Sequence, residues 1–155
     1  MVKSGEPFAI AQLNLCQYKV VNEALLLPNK SISRNMNLNV ENAKFSLVKM
    51  DTSMINDFIL FGPWFNLRKA KYKLIFDLAV KATATMPDSL TIDLTDNFGK
   101  SFYAKQILVI PSGKKFSKQM KYDFATDSLQ RNFELRVFLK GTGQVNLSNI
   151  RLKVQ

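Results

Sequence analysis

The run FGPWFNLRKAKYKLIFDLAV, residues 61–80, constrains the fold more than any other part of the chain. Tyr72, Leu74, Phe76, Leu78 and Val80 fall on one parity, and Lys71, Lys73, Asp77 and Lys81 on the other. A period of two is the signature of a strand with one buried face, whereas a helix would scatter both sets around its axis. The spacing predicts a strand inside an antiparallel sheet, with one side on a core and the other toward water or a ligand.

The same rule divides the rest of the chain into short strands at about residues 8–15, 18–27, 35–40, 44–49, 57–62, 89–96, 101–110, 118–125, 132–140 and 144–154, around a central strand at 70–82. Turn formers separate them: Pro28-Asn29, Pro87-Asp88, Asp96-Asn97 with Gly99, Pro111-Ser112-Gly113 and Gly141-Thr142-Gly143. The last three read as hairpin or loop connections. Residues 125–132 could form a single helical turn capped by Thr126 or Asp127. Parity sends Leu90, Ile92 and Leu94, then Met120, Tyr122 and Phe124, then Phe133, Leu135, Val137 and Leu139 to the core. In the last strand Val145 and Leu147 fit one phase and Ile150, Leu152 and Val154 the other, which predicts a bulge near Ser148-Asn149. The expected architecture is all-β: a jelly-roll β-sandwich of two packed, mainly antiparallel sheets, one domain over residues 1–155.

A chain of 155 residues can bury a core without disulfides, and twelve Phe, four Tyr and one Trp supply bulk for it. Cys16 stands alone, which removes a disulfide framework and a thiolate cluster and suits a reducing compartment. The N-terminus is too polar for a signal peptide and no run of about eighteen apolar residues exists, so the expected location is cytoplasmic or membrane-peripheral. The chain also suits a module cut from a larger protein. Histidine is absent, which takes away the commonest general base and zinc ligand. A net charge of +10 favours anionic partners, among them acidic polysaccharides, although solubility alone would also account for it.

FGPWFNL followed by KYKLIFDL, then LTIDLTDNFGK, NFELRVFLKGTG and NLSNIRL, resembles the bacterial carbohydrate-binding modules of galactose-binding-like jelly-roll fold. The resemblance spans roughly residues 57–153, and departs from the family's pattern at Arg68-Lys69-Ala70, where a Pro-Gly pair is usual. It implies a non-catalytic carbohydrate-binding module, without a cofactor, attached to bacterial polysaccharide or glycosyltransferase machinery. A structural or protein-interaction sandwich without sugar binding is the alternative.

Sugar recognition needs an apolar platform for the C–H face of a pyranose and a few fixed polar groups for its hydroxyls. Trp64 and Phe65 beside the Gly-Pro turn are the candidate platform, and Trp64 could instead be a core plug. Lys73, Asp77, Glu134 and Arg136, with Asp93, are candidates for the polar face of one sheet, and Arg136 could instead make a structural cross-strand ion pair. Asp93, Asp96 and Asn97 are too few for a calcium site, so no metal is assigned. Asp93 or Asp96 with Glu134 is the one carboxylate pair to weigh for glycoside hydrolysis, and nothing in the spacing sets such a pair across a bond. Nucleic acid is not expected, because Tyr72 and Tyr122 fall on the inward parity, away from the basic residues.

Overall fold

The computed structural model describes residues 23–25, 37–41, 44–49, 52–67, 69–96, 99–127 and 130–155. Its strands are β1 (Glu23–Leu25), β2 (Asn37–Glu41), β3 (Lys44–Val48), β4 (Ile55–Leu60), β5 (Pro63–Leu67), β6 (Ala70–Lys81), β7 (Asp88–Asp96), β8 (Ser101–Ile110), β9 (Lys115–Thr126), β10 (Gln130–Gly141) and β11 (Gln144–Val154). One antiparallel sheet, here the first, runs β2-β3-β11-β6-β9, with β1 pairing β11 beyond β3. The second runs β4-β10-β7-β8, with β5 pairing β10 beyond β4. The two stack as a jelly-roll β-sandwich, and β8 and β9 are the edge strands on one side of it among the described residues.

The core follows the parity of the sequence. Tyr72, Leu74, Phe76, Leu78 and Val80 of β6 are buried, and so are Leu90, Ile92 and Leu94 of β7 and Phe133, Leu135, Val137 and Leu139 of β10. β6 and β9 pair in unbroken register from Ala70 opposite Thr126 to Lys81 opposite Lys115. β11 changes phase between Ser148 and Arg151, with Asn149 at φ 51°, so Val145 and Leu147 on one side and Ile150 and Leu152 on the other all reach the core.

Rings close one end of the sandwich. Tyr72 stacks on Phe124 at 5.4 Å, Phe124 on Phe133 at 5.4 Å, and Tyr103 lies 5.2 Å from Phe124, joining β6 and β9 of one sheet to β8 and β10 of the other. At the opposite end a buried carboxylate holds the crossover from β10 to β11. Asp88 Oδ1 accepts from the backbone N–H groups of Thr142 (3.2 Å) and Gly143 (3.1 Å), and a Cβ at Gly141 or Gly143 would overlap this carboxylate. Two glycines flanking Thr142 therefore follow from the packing of Asp88 rather than from any turn type. The loop is also gripped by Lys49 Nζ, 3.4 Å from the Thr142 carbonyl, and by Thr83 Oγ1, 2.6 Å from Thr142 Oγ1.

Several expectations are corrected. Residues 63–67 form a strand rather than the sequel of a turn: Gly62 at φ 107° kinks the edge, its carbonyl accepts from Leu135 N–H at 2.8 Å, and Pro63 starts the strand, where it interrupts no ladder. At both ends of the helical turn expected over 125–132 the chain is strand instead, with Ala125 and Thr126 still pairing with β6 and Gln130 already pairing with Leu67, and residues 128–129 lie outside the described residues. Of the three turns read as hairpins or loops, Pro111–Gly113 and Gly141–Gly143 are loops that join strands of different sheets, and Asp96–Gly99 closes a hairpin. The strand candidate at 8–15 lies outside the described residues, and of 18–27 only 23–25 are described. The described residues contain no helix long and apolar enough to cross a membrane.

Phe76, fully buried between the sheets and 6.1 Å from the Tyr122 ring, is the most direct test of this register. Phe76→Ala should cost about 3–5 kcal/mol in urea denaturation, and Lys71→Ala, on the exposed parity of the same strand, within about 0.5 kcal/mol. Equal losses at the two positions would mean that the strand faces are assigned the wrong way round.

Candidate functional site

The outward residues of β10 meet those of β4, β7 and β8 on the outer face of the second sheet. Register places Arg136 opposite Asp93 and Phe138 opposite both Thr91 and Phe58. Arg136 Nε donates to Asp93 Oδ1 at 2.7 Å and Nη2 to Asp93 Oδ2 at 3.1 Å, a two-point grip that fixes the guanidinium plane. Asp93 is buried, and this grip holds the Arg136 guanidinium above its ordinary pKa. The guanidinium carbon lies 5.4 Å from the Phe58 ring centre and 5.6 Å from that of Phe102. With Nε and Nη2 occupied by Asp93, Nη1 is the nitrogen not engaged by it. Gly99, at φ 81°, comes so near that a Cβ there would sit 2.6 Å from Nη1.

The rings around Arg136 differ in exposure. Phe58 packs edge-on against Phe138 at 5.2 Å and Phe61 at 6.5 Å and is half-buried, whereas Phe102 is 53% exposed, with Lys105 Nζ 5.8 Å from its centre. A bulge explains its direction. Leu94 pairs with Ala104 and Thr95 with Phe102, so Tyr103 is an extra residue in β8. Tyr103 turns to the core rings, and Phe102 is left on the outer face. Ile107 and Val109, 62% and 65% exposed, continue the apolar character of that strand.

The candidate residues divide between two faces. Glu134 and Arg136 lie on the outer face just described, Glu134 buried with Thr95 Oγ1 3.4 Å from its Oε1. Lys73 and Asp77 lie on the outer face of the first sheet, because β6 and β10 belong to different sheets. The expectation of a single polar face is corrected accordingly. Lys73 sits 3.6 Å from Asp123, and Asp77 accepts from Gln119 Nε2 (3.3 Å) and Asn149 Nδ2 (2.8 Å). The backbone of Trp64 belongs to β5, a strand of the second sheet, and its side chain lies outside the described residues. Phe102, Phe58 and Phe138 are not singled out by the sequence reading; an aromatic three residues after Gly99 is the available signal.

Asp96, at the end of β7, accepts from Tyr103 Oη at 2.8 Å, while its Oδ1 is buried with no partner. Among the described residues no three His, Cys, Asp or Glu side chains gather as metal ligands, and Asn97 lies outside them.

No family model and no curated protein matches this sequence. Among solved structures, a carbohydrate-binding module from Cellvibrio mixtus lichenase 5A in complex with cellotriose is similar over 87% of this chain and 98% of its own, at 14% identity and TM-score 0.47. A family 29 carbohydrate-binding module is similar over 77% and 71%, at 12% identity and TM-score 0.39. A structure of infectious bursal disease virus is similar over 77% and 36%, at 7% identity and TM-score 0.40. Likenesses at this level concern the course of the chain, and function has to be argued from the faces themselves.

Burial, followed by the hydrogen bond to Asp96, raises the Tyr103 hydroxyl far above the usual tyrosine range, and burial pushes Tyr122 up to about 12. The folded chain thus keeps a proton that the unfolded chain releases near pH 10, so this contribution to stability is complete below about pH 10 and declines above it. Tyr103→Phe should reduce that alkaline decline in urea titrations. At neutral pH it should cost about 1–3 kcal/mol, because Asp96 loses its hydrogen bond. An alkaline decline identical in the two proteins would contradict the assignment.

Proposed function

We propose that this domain is a non-catalytic carbohydrate-binding module that seats a sugar on the outer face of the second sheet. The observation that carries the reading is the exposed Phe102 ring beside Arg136, itself held by Asp93. A pyranose can lay its C–H face on such a ring while its hydroxyls accept from Arg136 Nη1 and Lys105 Nζ. Preorganisation favours binding here, because two-point attachment to Asp93 fixes the guanidinium before any ligand arrives. Glu134 supports the same strand from a buried position. Trp64, on a strand of the same sheet, is the candidate for extending the platform. A role in bacterial polysaccharide or glycan processing, as a module of a larger enzyme or assembly, is the setting that the sequence resemblance suggests.

Non-catalytic action fits the state of the carboxylates: Asp93 is committed to Arg136, and Asp96 is committed to Tyr103. One observation favours the protein-interaction alternative, namely the exposed Ile107 and Val109 beside the platform.

Phe102→Ala should weaken binding to neutral glycans about tenfold by calorimetry, since aromatic contacts of this kind contribute ~0.5–1.5 kcal/mol beyond the area they bury. Its unfolding free energy should stay within about 0.5 kcal/mol of the parent, as expected of an exposed side chain. A parent protein blank on a glycan array that nevertheless captures a protein through Ile107 and Val109 would decide for the interaction domain.

A further inference from the structure

The outer face of the first sheet has a different chemistry, and its register builds a trough across three strands. Ala79 of β6 lies between Asn146 of β11 and Ser117 of β9, and in the next row Asp77 lies between Ser148 and Gln119. Short side chains at Ala79, Ser117 and Ser148 leave the floor low, and the depression there has a volume of about 430 Å³. That is within the range of small-molecule sites, ~300–1,000 Å³. A second depression of about 280 Å³ shares Ala79, Ser117 and Asn146 with it and continues toward the row Gln144, Lys81 and Lys115.

Charge is concentrated on this side. Lys81 and Lys115 are both exposed and stand together at one end of the trough. No described carboxylate lies within ion-pair distance of these two lysines, whereas Lys73 further along β6 has Asp123. The floor is rich in hydroxyl and amide groups and holds one carboxylate, Asp77, which accepts from Gln119 Nε2 and Asn149 Nδ2. Asn146, in its central row, makes no hydrogen bond among the described residues, and its Oδ1 is buried without a partner. No aromatic side chain rises from these three rows, which disfavours single-stranded nucleic acid, whose bases need stacking surfaces. A concave floor of hydroxyls and amides is equally unsuited to a flat lipid surface.

We infer that this trough is a second ligand site, for an acidic polysaccharide whose sulfate or carboxylate groups meet Lys81 and Lys115 while its hydroxyls bond with Ser117, Gln119, Asn146 and Ser148. The site stands independently of the neutral-sugar platform on the opposite face. The two faces separate the two recognition problems: ring stacking on one, charge with hydroxyl bonding on the other.

Dextran sulfate and unsulfated dextran, titrated calorimetrically into the full chain, test it. Dextran sulfate should bind and dextran should not compete for the same site. Affinity should fall steeply with salt, because exposed charges more than about 10 Å apart are screened near 0.1 M. The double variant Lys81→Gln/Lys115→Gln should weaken dextran sulfate on the order of tenfold, and the charge-matched Lys69→Gln/Lys100→Gln, outside the trough, about twofold or less. Ser117→Trp, which fills the floor without removing charge, should weaken it as well, and Phe102→Ala should leave it unchanged. Equal losses in the two lysine doubles would reduce the effect to net charge and overturn the site. Tighter, trough-dependent binding of an oligothymidylate would overturn the choice of ligand.

Discussion

Everything at the surface of this protein depends on the burial of the inner rows of the two sheets in one apolar core. Leu74, Phe76 and Leu78 of β6 and Phe133, Leu135 and Val137 of β10 all belong to that core and lie out of water, so the intervening residues of both strands must point outward on opposite sides. The aromatic column at one end and the Asp88 crossover at the other keep the two sheets in one alignment. Neither device touches the candidate faces. Both nevertheless determine which outward residues become neighbours, since Arg136 meets Asp93, and Ala79 meets Asn146 and Ser117, only in this register.

The two outer faces are unlike because they are built from strands of unlike composition. The second sheet presents Phe58, Phe102 and Phe138 around a single neutralised arginine. The first presents lysines around a floor of small polar side chains. The +10 charge is thus spread unevenly, and the anionic partners expected from it have a definite face to approach.

Much of the fold was legible in the sequence because burial writes itself into the chain with period two. The inward residues of β6, β7 and β10 could be named from parity, and so could the bulge after Ser148, where Val145-Leu147 and Ile150-Leu152 cannot share a phase. Parity distinguishes inside from outside, but it does not say to which sheet a strand belongs. That is why Lys73 and Asp77 were grouped with Glu134 and Arg136, although a whole sandwich lies between them. Phe102 escaped for a related reason. The extra residue at Tyr103 breaks the alternation of β8 just where the ring emerges, and only the pairing with β7 shows that Phe102 goes out while Tyr103 goes in. β5 was hidden by its own sequence, since Gly-Pro reads as a turn unless the edge it returns to is known.

The position of β8 and β9 at the rims of the two sheets has a consequence for how the molecule lives at high concentration. Among the described residues each pairs with a strand on one side only, which leaves a row of backbone N–H and C=O groups that invites another chain to add itself. Lys105 on β8 and Lys115, Lys118 and Lys121 on β9 place like charges along those rims, so a second copy approaching edge-on meets repulsion before its amides can register. The lysines assigned to ligand capture are in this way also guardians against self-assembly. An anion that neutralises them would expose the molecule to the polymerisation they hold off.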